Sequence, residues 1–383
     1  MINTDAKDNK SIYANHIRML YFVGLGITGC KGMSLDALEI LKSCEIIYIE
    51  RFTSYISNNE IEKFIQLVDP ENDKEISVVK RWFVEDAKEI LSKSKNSIVA
   101  LVTYGDPFMA TTINELRNRA KNYSIKTKII HGASGIFSFI GESGLHNYKF
   151  GRTSTLMSDP QSAISVYHTI YENLKVGNHT LILTEYNNND EKDFLFLNPN
   201  TAIDLLKEAE KDLKYGIISD ETFIIIGSRI GQDSQTIQSG KICSFEKFNF
   251  GDGPHSLIIP GQLHFTETDV IISLYLNLDK PSDNSKLFQH LAVRMVNKYL
   301  PKAKDAIKTM KSFLEKENST SSDFPNTINN GMFDVLENAE YYLIDSERFL
   351  NQNKYELAVL SIGYAEGLID SLRFQKNINP WLS

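Results

Sequence analysis

At 383 residues the chain is longer than one average domain, and a prior of about 100–200 residues per domain predicts two or three. Hydrophobic residues at 42%, aromatics at 10% and charged residues at 23% exclude wholesale disorder, collagen-like fibres and mucin-like stalks. A net charge of −8 argues against broad binding to nucleic acid or anionic membranes, and three dispersed cysteines indicate neither a disulfide framework nor a zinc site.

Residues 1–18 are polar and lack the apolar segment of a signal peptide, so they are expected to be a disordered extension or to precede an alternative start at Met19. No run approaches the ~18 consecutive apolar residues of a membrane helix, and a cytoplasmic protein is expected. Leu20–Val23 reads as a strand, Ser34–Cys44 as a helix capped by Ser34, and Cys44–Glu50 as a second strand. Glu85–Ser92 is predicted helical, Ser97–Thr103 a strand, Thr111–Lys121 a helix with its cap near Thr111 and Thr112, and Lys128–His131 a strand. Such alternation implies a mainly parallel sheet with helices on both faces. Residues 132–280 repeat the alternation. There Ile164–Leu174 and Thr201–Leu213 are helices, and Thr180–Thr184, Thr222–Gly227 and Ser256–Ile259 are strands. Asp279–Lys286 is a polar linker, followed by the helical patterns Leu287–Leu314 and Phe333–Phe374 around a polar loop, Glu317–Asn330. The expected domains are two α/β lobes, 19–130 and 131–278, and an all-α domain, 287–383. Leu336, Leu343, Leu350 and Leu357 recur every seven residues, as the core of a helical hairpin does.

Gly24-Leu25-Gly26-Ile27-Thr28-Gly29 matches G-x-G-x-x-G after a strand, with Glu50 ending the next strand. In a dinucleotide site the helix starts within the glycines and its N-terminus meets the pyrophosphate. Here Cys30–Met33 intervenes before Ser34, which argues against a nicotinamide or flavin site. Three further loops of small residues stand at strand ends, where open α/β sheets bind ligands: Tyr104–Pro107, His131–Ile136 and Phe250–His255. His131, His146 and His264 read as structural, and Glu50 and Glu185 as solvated or helix-pairing acids. The histidines are too scattered for a metal site.

LYFVGLGI (20–27), GDPFMATTINELR (105–117), residues 131–141, GLHNYKFG (144–151) and FGDGPHSLIIPG (250–261) resemble the diphthine synthase family. The GDP turn alone is shared with the wider tetrapyrrole methylases of corrins and ribosomal RNA, whereas the GLHNYKFG and GPH segments narrow the resemblance. It implies a two-lobed tetrapyrrole-methylase-like fold with S-adenosylmethionine in the interlobe cleft, commonly as a homodimer. Carried over by motif, cofactor contacts fall on Ile27, Asp106, Met109, Ser134 through Ile136 (hence Gly135 among them), Thr184, Ile230 and His255. The third loop carries one extra residue, which leaves open whether Ser134, Gly135 or Ile136 makes that contact. Thr184 stands where an apolar residue is usual.

The implied substrate is a histidine of translation elongation factor 2 bearing a 3-amino-3-carboxypropyl group, whose amine is methylated to leave S-adenosylhomocysteine. No general base is required by the sequence, and catalysis by proximity is expected. A corrin or RNA methylase of the same fold, and a non-catalytic cofactor-binding scaffold, are the alternatives. Residues 287–375 resemble a small archaeal helical domain of unknown function.

Overall fold

The computed structural model describes residues 18–187, 195–274, 276–320 and 327–381. All but one residue of the expected N-terminal extension lies outside the described residues, as does 321–326 of the polar loop. Contacts divide the chain into two units, Met1–Asp212 with Ile218–Asp283, and Leu213–Ile217 with Asn284–Ser383. Among the described residues no helix is long and apolar enough to cross a membrane.

The first lobe runs β1 (Met19–Gly24), α1 (Leu35–Ser43), β2 (Ile46–Glu50), α2 (Asn58–Val68), β3 (Glu75–Val79), α3 (Arg81–Asp86), α4 (Lys88–Ser94), β4 (Ile98–Thr103), α5 (Asn114–Asn122) and β5 (Lys126–Ile130). Its strands pair in parallel in the order β3-β2-β4-β1-β5. Alternate residues of β1 feed two cores. Leu20 and Phe22 pack with Ile90 and Leu116 on one face, and Val23 packs with Leu41 and Phe64 on the other. Helices therefore cover both faces, as the sequence predicts. Ser34 caps α1 by accepting from the Ala37 N–H at 3.1 Å. The α5 cap differs from expectation: the helix starts at Asn114 without a side-chain cap from Thr111 or Thr112. The expected helix Glu85–Ser92 is two short helices, broken at Ala87 with a left-handed φ of 59°. The helix α2 and the edge strand β3 carried no sequence expectation.

The second lobe continues with α6 (Gly135–Glu142), β6 (Ser154–Leu156), α7 (Pro160–Lys175), β7 (Thr180–Thr184), β8 (Tyr186–Asn187), β9 (Leu195–Phe196), α8 (Pro199–Leu213), β10 (Phe223–Ser228), β11 (Thr236–Lys241), β12 (His255–Ile259), α9 (Phe265–Leu274) and β13 (Leu276–Asn277). Its main sheet has the order β13-β11-β10-β12-β7-β6 and is mixed, not a second parallel sheet. β10 pairs antiparallel with β11 and β12, and β12 with β7. The short connection Arg229–Gln235 explains the first of these pairings, since a parallel crossover needs about a dozen residues or more.

The C-terminal unit holds α10 (Ser285–Thr320), α11 (Thr327–Asn351) and α12 (Tyr355–Lys376) around Met310, Leu336, Leu343, Ile362 and Ile369. The pattern Phe333–Phe374 is thus two helices, turned at Asn353 with φ 58°. That turn takes Leu357 out of the leucine stripe: it is 43% exposed, and Ala358 beside it is buried.

Candidate functional site

The C-terminal ends of β1, β4 and β5 meet at glycines. Gly26 and Gly105 exchange backbone hydrogen bonds of 3.1 and 2.8 Å. A Cβ on Gly24 would lie 2.6 Å from both the Gly105 carbonyl and the Gly132 N–H, and one on Gly132 would lie 2.5 Å from that carbonyl. These glycines therefore do more than let the chain turn: they bring three loops into backbone contact. A short 3₁₀ turn, Gly29–Gly32, separates them from α1, so no helix N-terminus meets the first glycines. The Ile27 carbonyl accepts from the Tyr104 hydroxyl, and its side chain fills the space beside Gly231, whose φ is +84°.

These loops open onto a cavity of about 700 Å³ lined from both lobes, and all nine residues named from sequence line it. Ile27, Asp106, Met109 and Ser134–Ile136 come from the first three loops. Ser134 stands at the N-cap of α6, and Gly135 and Ile136 form its first turn. Asp106 is buried with both oxygens engaged, Oδ1 by the Phe108 N–H at 2.9 Å and Oδ2 by His131 Nδ1 at 2.7 Å. His131 does not line the cavity, and its ring secures the loop bearing Asp106. From the second lobe come Thr184, Ile230 and His255. The Thr184 hydroxyl donates to the His255 carbonyl at 2.7 Å, so its polar atom is consumed and its methyl is left to stand in for an apolar residue. The His255 ring lies 2.8 Å from the Ser228 hydroxyl through Nδ1. Burial, and then the Arg229 charge, push its pKa down to about 4, so the imidazole is neutral at physiological pH. Arg229, itself at a positive φ of 53°, donates to the Phe250 carbonyl at 3.0 Å and holds the loop that ends at His255.

Several lining groups went unread in the sequence. Phe52–Tyr55, Arg81 and Tyr186 line the cavity, and so does Thr111, whose buried hydroxyl has no hydrogen-bond partner. Glu50 corrects an expectation: it is 1% exposed, not solvated. Its Oε2 accepts the N–H groups of Phe52 and Thr53, both at 3.0 Å, and so shapes the wall of the cavity. Glu185 also lies in the lining, where one oxygen accepts the Ser158 N–H at 2.9 Å. The only available signal for this wall was an acid at a strand end, which by itself is equally compatible with solvent.

GLHNYKFG lies outside the cavity. It wraps the fully buried Glu267, which accepts the His146 N–H at 2.8 Å, the His264 N–H at 2.7 Å, His179 Nε2 at 3.0 Å and the Lys149 ammonium. Burial alone would raise this carboxyl, but the donors reverse that and hold it at about 2. The Gly261 N–H donates to His179 Nδ1 at 2.9 Å, so the neutral ring carries its proton on Nε2 and gives it to Glu267.

The fold with its paired lobes and glycine-built cleft is that of the tetrapyrrole-methylase class, as the family match over residues 19–245 shows. Residues 19–245 match the family model "Tetrapyrrole (Corrin/Porphyrin) Methylases", and residues 298–378 match a "Protein of unknown function" family. Diphthine synthase of Methanosphaera stadtmanae is 34% identical over 258 residues, covering 67% of this chain and 95% of its own. That of Methanocaldococcus jannaschii is 34% identical over 263 residues, covering 68% and 100%. The crystal structure of a putative diphthine synthase from Entamoeba histolytica superposes with a TM-score of 0.59 at 28% identity, over 68% of this chain and 99% of that one. The chain belongs to the diphthine synthase family.

Proposed function

We propose that the protein methylates the amine of the 3-amino-3-carboxypropyl-histidine of translation elongation factor 2, using S-adenosylmethionine and releasing S-adenosylhomocysteine. The observation that supports this most is the convergence of nine residues, scattered from Ile27 to His255, on one cavity. The cavity fits such a cofactor. Its volume of about 700 Å³ is in the range of ligand sites, Ile27, Met109, Ile136 and Ile230 supply apolar walls, and the Thr111 hydroxyl has no protein partner. When bound, the cofactor supplies an electrophilic methyl group on a sulfonium.

The chain's own residues orient the reactants and exclude water. Asp106 holds the Phe108 N–H and the His131 ring with its two oxygens, and His255, held at about 4 with Nδ1 beside the Ser228 hydroxyl, is too weak a base to draw a proton from an ammonium. The apolar walls favour the neutral, nucleophilic form of the acceptor amine. Catalysis is then by proximity, in a cytoplasmic enzyme that the family reading makes a homodimer. Incubation with methyl-labelled cofactor and elongation factor 2 arrested before methylation is expected to label that histidine. Absence of label there, with cofactor binding intact, would overturn the assignment.

A further inference from the structure

The acceptor proposed above carries a carboxylate on the same carbon as its reacting amine, so its site needs a cation that the cofactor does not occupy. Among the described residues lining the cavity, Arg81 is the only lysine or arginine. Its guanidinium makes no hydrogen bond among the described residues, and its one ion pair there, to Glu85 at 3.9 Å, is long, exposed and weak enough to be exchanged for a ligand. It is nonetheless held in place, with its Cζ 5.0 Å from the centre of the Phe52 ring. Phe52 in turn has its N–H fixed at 3.0 Å by the buried Glu50 carboxyl. A planar fork lying over an aromatic ring is suited to bidentate carboxylate binding.

Topology separates this fork from the cofactor loops. Arg81 follows the edge strand β3, whereas those loops follow β4, β1 and β5 in the order β3-β2-β4-β1-β5. At about 4.8 Å per strand the offsets are about 10, 14 and 19 Å. We infer that Arg81 binds the α-carboxylate of the acceptor's aminocarboxypropyl group, which makes it a determinant of acceptor specificity. This inference rests on the proposed reaction. A methionine carboxylate of the cofactor is the other source of the same chemistry.

Full-length Arg81→Met and Arg81→Lys are assayed with elongation factor 2 bearing the aminocarboxypropyl-histidine, and S-adenosylhomocysteine binding is titrated separately. Losing a charge-assisted pair is expected to raise the acceptor KM about 10- to 100-fold in Arg81→Met, and less in Arg81→Lys, with the S-adenosylhomocysteine Kd unchanged. As a second measurement, 2-amino-4-(imidazolyl)butanoate should compete better than its carboxamide against wild type, and Arg81→Met should erase that preference. An unchanged acceptor KM, equal competition by acid and amide in wild type, or a parallel rise in the S-adenosylhomocysteine Kd overturns the inference while leaving the reaction standing. A wild-type protein that methylates no such histidine removes the reaction and the inference together.

Discussion

Glu50 shows how one carboxyl can shape a wall of the site without touching what binds there. Its Oε2 organises the Phe52–Tyr55 segment while Oε1 is buried with no partner, and the pairing of Ile49 with Val102 sets Thr103 alongside. Burial raises its pKa, against the opposing hydrogen bonds from Thr53 and Phe52. As pH rises through and above the ordinary carboxylate range the unfolded chain loses this proton before the fold does, so the group costs stability over that rise. Glu50→Gln keeps an acceptor for both N–H groups and offers an amide to the Thr103 hydroxyl. It is expected to melt at or above wild type at pH 8, whereas Glu50→Ala is expected to lose about 2–3 kcal/mol by stranding the two N–H groups. Calorimetry on both variants checks this, and a clear fall for Glu50→Gln would mean that the ionised form is needed. Nothing in the local sequence separated this buried acid from a solvated one, because its burial is made by β3, β4 and the returning loop.

At the scale of elements, GLHNYKFG, one of the two segments that narrow the resemblance, is a brace and not part of the cleft. Gly144 through Gly151 converge on Glu267, a residue without a signal of its own in the sequence. The partners are more than a hundred positions apart, and only the approach of α9 to the α6–β6 connection joins them. Glu267→Gln leaves the Lys149 ammonium without its counter-charge, and a broken buried pair costs about 3–5 kcal/mol. Urea denaturation should show a loss of about 3 kcal/mol in this variant, with S-adenosylhomocysteine affinity unchanged because none of these residues lines the cavity. The strands themselves were more legible. Thr180–Thr184 coincides with its strand, since a short apolar run bounded by Asn-His and Glu-Tyr admits few alternatives. β3 escaped notice because Glu75–Val79 is an edge strand whose residues are half exposed.

For the whole molecule, the buried imidazoles and Glu267 set the response to acid. His255 is held at about 4 and His179 is likewise lowered by burial, so the unfolded chain binds protons on them, from about 6.5 downward, before the fold does. Stability from His255 is full above about pH 6.5 and is lost as pH falls toward 4, and the lowered His179 acts in the same direction below about 6.5. Glu267, depressed from 4.5 to about 2, adds a second loss over that lower interval. Thermal melts from pH 8 to 3 should fall in two stages. His255→Gln should flatten the upper stage, and Glu267→Gln the lower one.

Local chemistry was enough to mark where strands end in glycine, where Ser34 starts a helix and which small-residue loops stand at strand ends. Those features depend on residues adjacent in the chain, through turn geometry, capping and side-chain periodicity. The mixed pairing of the second sheet, the burial of Glu50, the place of Arg81 in the cavity wall and the wrapping of Glu267 depend instead on segments distant in sequence. Each of these is a balance of desolvation against partners that only folding brings within reach, so the tertiary structure alone decided them.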